Sequence, residues 1–305
     1  LDVGDDPLHE TAHAILAAIG RRIQVPVGDA RLLRLHSNAI FVLPSAGLLV
    51  RIATNPAALT GVRAAVAVTR WLAARGFPCV VPADIDDQPL VERDRAVSIW
   101  RYVPTVPDPP ATGSDLGRLL RVLHAEPLPP HPPGQLDDPF DSVANAIEEA
   151  PEAMSDIDRS WLSDRIAELR ELWPTIEFPH PLGLIHGDAH PNNLMRMSSG
   201  GIILGDWDHV AVGPREWDLL QIHYTRRRFG RPSEKDIEGF TTAYGWDIRG
   251  WPGLDTLIAV RELTGLSPYI RTAPTKTPAR QELAHRLGTL RRQDTMARWT
   301  SPPPE

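Results

Sequence analysis

The chain has 305 residues, enough to bury a core in one large domain or two modest lobes. Its 42% hydrophobic and 23% charged residues are ordinary for a soluble globular protein. A formal net charge of -7 argues against nucleic acid as a partner, and no apolar run approaches the roughly 18 residues that cross a bilayer.

Apolar residues at helical spacing (Ala12, Ile15, Leu16, Ile19) predict a helix over 7–20. Short strand-like runs follow at 31–35, 39–43 and 48–53, with Ser45-Ala46-Gly47 as a hairpin turn between the last two. Residues 58–75 read as a helix stopped by Gly76. Just beyond, Cys79 sits in Phe77-Pro78-Cys79-Val80-Val81 and reads as a small packed hydrophobe. A single cysteine cannot form an internal disulfide, which fits a reducing cytoplasm. The acidic residues 1–6 do not resemble a signal peptide, so the expected location is cytoplasmic.

Two more strands are expected near 88–92 and 96–102. Proline-rich stretches at 104–110 and 127–133 read as a connector between lobes and a stiffened loop. Helices are expected at 114–125 and 156–173, and helices dominate beyond 230. The division is therefore an N-terminal lobe over 1–103, a sheet with one long helix, and a C-terminal lobe over 104–305.

Chemistry concentrates between 182 and 219. Two apolar strands, 182–185 and 202–205, flank a loop carrying His186, Asp188, His190 and Asn193, and the second strand runs into Asp206 and Asp208. Carboxylate and amide oxygens suit Mg²⁺, a hard cation that bridges substrate phosphates. The spacing carries the reading. In the protein-kinase catalytic loop a His lies two residues before an Asp, and four residues separate that Asp from an Asn. There the Asp accepts the hydroxyl proton and the Asn holds a metal, while an acid on a later strand end holds another. Asp188, Asn193 and Asp206 fall at those places.

His186-Gly187-Asp188-Ala189-His190-Pro191-Asn192-Asn193, followed by Gly205-Asp206-Trp207, resembles the aminoglycoside phosphotransferase and choline kinase family. Trp100-Arg101-Tyr102-Val103-Pro104 is similar to its hinge, and 116–124 and 213–219 are similar to its flanking segments. The resemblance spans roughly 30–270. It implies an α+β, bilobal protein-kinase-like fold with a small antiparallel-sheet N-lobe, five-stranded, and a mainly helical C-lobe. It further implies an ATP- or GTP-dependent small-molecule kinase that needs Mg²⁺, acting as a monomer or homodimer on a hydroxyl of an antibiotic, sugar or amino sugar. By resemblance, Asp188 is the base or orients the acceptor hydroxyl, Asn193 and Asp206 hold Mg²⁺, and His186 and Asp218 brace the loop. Asp208 serves a second metal or the acceptor site. Arg51, Ser37, Asn38, Ile99, Trp100 and Tyr102 are the expected nucleotide-binding residues.

Two departures stand out. Lysine occurs only at Lys235 and Lys276, so the strand position that usually carries the family's lysine holds Arg51. That residue keeps the charge and presents a planar fork that can grip phosphates. Its usual acidic partner on the long helix is missing, because nothing acidic occurs between Thr54 and Asp84. A catalytically silent nucleotide-binding module is the alternative these departures favour. A metallohydrolase using His186 and His190 is a further one, opposed by the Gly, Asp and Pro that prevent a helix there. The tryptophans read as packing residues, the run Arg226-Arg227-Arg228 as a solvated face, and the late acids (Glu234, Asp236, Glu238, Asp247, Asp255, Glu262) as too interleaved with arginine to form an anionic wall.

Overall fold

The computed structural model describes residues 7–35 and 38–300. The N-terminal part is built on an antiparallel sheet of β1 (Arg31–Leu35), β2 (Asn38–Leu43), β3 (Leu48–Ala53), β4 (Leu90–Glu92) and β5 (Arg95–Arg101), in the order β1-β2-β3-β5-β4. The five expected strands are all present. Gly47 takes a left-handed φ of 62° at the β2–β3 turn, a conformation that glycine adopts without steric cost. Helix α1 (Pro7–Arg22) buries Ala12, Ile15, Leu16 and Ile19 against Phe41, Val50, Ile52 and Val97 of the sheet. One helical stripe is therefore enough to close this core.

Helix α2 (Leu59–Ala74) is apolar on two faces. Val62 and Val66 pack with Ala53 and Trp100 of the sheet. Ala65, Val68 and Leu72 join a cluster with Phe77, Leu120, Leu204 and Trp207. Its exposed side carries Arg63 and Arg70, while the faces toward the two cores are apolar and hold no acid. Cys79 lies in the same cluster, buried, its thiol pushed up to about 12 by burial. It packs as the sequence reading expects.

The rest is mainly helical: α3 (Gly113–Leu123), α4 (Asp141–Glu149), α5 (Asp156–Leu172), α6 (Glu216–Phe229), α7 (Glu234–Tyr244), α8 (Leu254–Thr264), α9 (Ser267–Thr272) and α10 (Thr277–Arg291). Two short ladders are set among them. β6 (Gly183–Ile185) pairs with β9 (Ala211–Gly213), and β7 (Leu194–Arg196) pairs with β8 (Ile202–Leu204). The two strands expected to flank the loop thus belong to different ladders.

Arg226-Arg227-Arg228 is not a uniformly solvated face. Arg228 is buried, donates to Glu262 Oε1 at 2.6 Å, and stacks over Trp299. It sits on the inner side of α6, where a buried cation needs a paired acid.

Helices α3 and α7 pack closely, each opened by a capping box, Thr112 with Asp115 and Ser233 with Asp236. The close approach depends on Gly117, where an added Cβ would lie 2.5 Å from the Phe240 carbonyl oxygen. Gly117→Ala is expected to cost about 1–3 kcal/mol by overpacking. The check is a lower denaturant midpoint at unchanged m.

Candidate active site

The loop between β6 and β7 is held from three directions. Gly187 has φ 84°, and a Cβ there would collide with the His209 carbonyl, so the residue between His186 and Asp188 must be glycine. Asp218, fully buried near the start of α6, accepts from the backbone N–H of His186 (2.7 Å) and Gly187 (2.8 Å). It also accepts from His124 Nε2 at 3.1 Å. His186 is buried against the Trp207 ring, and burial lowers its pKa despite the nearby acids. A neutral imidazole with the proton on Nε2 satisfies both of its contacts. Nε2 donates to the Gly205 carbonyl at 2.8 Å, and Nδ1 accepts from the Asp188 N–H at 3.3 Å. Both nitrogens are committed to bracing the loop, which removes His186 from any zinc site.

The loop is also tied to the segment that carries Asp206. Asn193 Nδ2 donates to the Asp188 carbonyl (2.9 Å), which leaves the amide oxygen to face a ligand. Gly205 N–H donates to the Asn193 carbonyl (2.9 Å), setting the residue before Asp206 against Asn193. Asp206 has φ 59° and keeps 47% of its side chain exposed. An amide oxygen and a carboxylate are donor types that suit Mg²⁺, which takes one or two protein oxygens alongside water and phosphate. Among the described residues no group of three or more His, Cys, Asp or Glu side chains forms a metal cluster.

Arg51 of β3 finds its acids on the other side of the cleft. Nη1 donates to Asp208 Oδ1 at 2.6 Å, and Nη2 reaches both Asp208 Oδ2 and, at 3.4 Å, Asp206. Gly61 in the first turn of α2 lets that helix approach the Asp208 backbone, where a Cβ would lie 3.1 Å from the carbonyl oxygen. The acid missing from α2 is replaced by one that packs against α2.

Around Asp188 the structure adds residues the motif does not contain. Arg261 Nη2 of α8 donates to Asp188 Oδ1 at 2.8 Å, and Gln221 Nε2 of α6 donates to the same oxygen at 3.3 Å. Arg261 Nε donates to Gln221 Oε1 at 3.1 Å, and the guanidinium lies over the Tyr224 ring. Asp218, Gln221 and Tyr224 recur every three residues on one face of α6. That spacing was a usable signal for Gln221; Arg261 had none. Oδ2 has His190 Nε2 at 3.5 Å. Burial alone would raise the Asp188 pKa, but the hydrogen bond from His190 and the charges of Arg261, His190 and His209 hold it well below the usual carboxylate range.

The expected nucleotide residues are placed unevenly. Ile99 is wholly buried in the sheet core, and Trp100 packs under α2 with its indole N–H on Ser98 Oγ at 2.9 Å. Tyr102 is exposed, its backbone N–H donating to the Gly47 carbonyl at 2.9 Å. Asn38 starts β2 opposite Ala53; Ser37 lies outside the described residues.

The profile of the phosphotransferase enzyme family (APH) matches residues 31–257, well over half of the chain. Among solved structures, amicoumacin kinase hAmiN in complex with AMP-PNP, Ca²⁺ and Ami is 12% identical. That alignment covers 95% of this chain and 96% of that one, with a TM-score of 0.70. A thermostable mutant of aminoglycoside phosphotransferase APH(4)-Ia, in ternary complex with ADP and hygromycin B, is 16% identical over 92% and 99% at a TM-score of 0.65. A choline/ethanolamine kinase family protein from Mesorhizobium loti is 17% identical over 95% and 96% at 0.60. These likenesses establish the bilobal kinase-like fold. A probable serine/threonine-protein kinase, FMP48 of Saccharomyces cerevisiae, is 35% identical over 51 residues, which is 17% of this chain and 14% of that protein.

Proposed function

The chain belongs to the phosphotransferase enzyme family, and from that premise we propose that it moves the γ-phosphate of ATP or GTP to a hydroxyl of a small molecule such as an antibiotic, sugar or amino sugar. The observation that supports the reading is the hydrogen-bonded frame that ties Asn193 to the Asp188 carbonyl, and Gly205, the residue before Asp206, to both the Asn193 carbonyl and the His186 ring. Nucleotides in the related complexes support a triphosphate donor. The nucleotide would lie between an N-terminal lobe over 1–103 and a C-terminal lobe over 104–305, its base near the hinge at Tyr102.

In this reading the acceptor oxygen attacks the γ-phosphorus as the bond to the β-bridging oxygen breaks and nucleoside diphosphate leaves. The hydroxyl proton passes to Asp188 Oδ2, because Oδ1 is occupied by Arg261 and Gln221. Asn193 Oδ1 and the Asp206 carboxylate would hold Mg²⁺, which when bound neutralises charge on the β- and γ-oxygens. Arg51 grips the α- and β-phosphates through its fork, exchanging part of its contact with Asp206 and Asp208 for phosphate oxygens.

The test is an acceptor screen with ATP and GTP in Mg²⁺, read by acceptor mass gain of one phosphate. Nucleotide binding without transfer to any acceptor favours the silent-module reading, which the engagement of Arg51 by Asp208 also suits. Arg51→Met is expected to raise KM for the nucleotide by about 10- to 100-fold, the worth of charge-assisted hydrogen bonds. Arg51→Lys should recover part of it, and titration with a fluorescent nucleotide checks both.

A further inference from the structure

The charges around Asp188 carry information about the acceptor. Arg261 reaches the carboxylate from α8, 73 residues away in sequence, and it is the fixed cation that touches Asp188. A guanidinium has five N–H donors. Asp188 and Gln221 use Nη2 and Nε, Nη1 makes no hydrogen bond among the described residues, and 23% of the side chain is exposed. His190 and His209 stand close enough to add to the field at Asp188.

Most of the late acids have partners of their own. Glu234 and Asp247 pair with Arg249, Asp236 caps α7, Asp255 pairs with Arg227, and Glu262 is buried against Arg228. Asp218 faces the loop backbone and His124. A polycationic acceptor would therefore set its ammonium groups beside the guanidinium of Arg261.

We propose that Arg261 is a specificity residue that binds an anionic group of the acceptor, so that the substrate is a hydroxylated acid carrying a carboxylate or phosphate a few bonds from the reacting hydroxyl. The inference rests on the reading of Asp188 as the transfer centre. The geometry favours it because Arg261 holds Oδ1, so an oxyanion on its remaining donors lies within a few bonds of a hydroxyl at Oδ2. The planar fork matches such oxyanions in two-bond contacts, which a lysine there would not provide. The guanidinium carbon also lies 5.5 Å from the centre of the Tyr224 ring.

The experiment uses the full chain with ATP and Mg²⁺ and matched acceptors: sugar acids and short hydroxy acids, their neutral parents or amides, their amino counterparts, and the sugar 6-phosphates. The expected result is a kcat/KM for the anionic members at least about 30-fold above the neutral ones, the factor a lost charge-assisted bond produces, with amino acceptors lowest. The carboxylate and phosphate arms identify which oxyanion is read. Arg261→Gln, shown folded by its thermal midpoint, should collapse the anionic-to-neutral ratio to near unity mainly through KM, and Arg261→Lys should keep an intermediate ratio. A residue that only positions Asp188 would instead lower kcat for every acceptor alike and leave the ratio unchanged, which overturns the proposal. Preference of the wild type for neutral or amino acceptors also overturns it while leaving phosphotransfer intact. Transfer to no acceptor at all overturns both this inference and the proposed function.

Discussion

Replacing Asp188 by asparagine is expected to lower kcat by about 10²- to 10⁴-fold, the range for a lost general base, with nucleotide affinity little changed. The variant keeps the shape and the hydrogen-bonding capacity toward Arg261 but loses the charge. Stopped-time assays on the best acceptor from the screen, alongside nucleotide titration, check the split. A fall in nucleotide affinity of the same size as the fall in kcat would mean that Asp188 serves binding and not transfer.

The pH profile sharpens this. The folded-state pKa of Asp188 lies below its ordinary value of 3.8, because His190 and the charges of Arg261, His190 and His209 outweigh the effect of burial. For a carboxylate depressed in this way, the stabilisation is present above the unfolded value and is lost as pH falls through the folded value. Asp188 therefore stays ionised from neutrality down past 3.8 and contributes no acid limb to kcat/KM there. In the proposed reaction Asp188 would mainly orient the hydroxyl, which suits a loose, metaphosphate-like transition state.

How much of this was legible in the sequence depended on how local each feature is. The strands of the sheet and helices α1 and α2 showed because their buried faces repeat at short periods, as with Ala12, Ile15, Leu16 and Ile19. The candidate loop showed because Asp188 and Asn193 lie within one loop and Asp206 follows the end of β8. What the sequence concealed was contact made across long separations. Arg51 meets Asp208 from 157 residues away, so a search for its acid on α2 finds only the apolar residues that α2 needs on both faces. Arg261 reaches Asp188 from a helix whose sequence carries no motif. Strands β7 and β9 have three residues each, and Arg196 and Gly213 end them before an apolar run like those of the equally short β6 and β8 can register. Arg228 sits in a run of three arginines whose partition between surface and core is set by α6 packing on α8 and by Glu262, not by composition.

Asp218→Ala is expected to be the most destabilising change at the site, costing about 3–5 kcal/mol and abolishing transfer. The carboxylate is fully buried, and its charge is tolerated only because the two loop N–H groups and His124 surround it. Removing it leaves two buried backbone donors and an imidazole N–H without partners. Asp218→Asn should cost less, about 1–3 kcal/mol, since one oxygen remains to accept while the new amide N–H₂ faces a donor. The bracing chain extends outward through His124 Nδ1 to the Tyr244 hydroxyl at 2.9 Å, which ties α7 and α3 to the loop. Tyr244→Phe removes the last link and leaves Asp218 satisfied, so it should cost only about 0.5–1.5 kcal/mol and leave kcat near wild type. Denaturant midpoints and kcat measured across the three variants test the order Ala, Asn, Phe. If Tyr244→Phe matched Asp218→Ala, the loop would be held from the α3–α7 pair and not from the carboxylate beneath it.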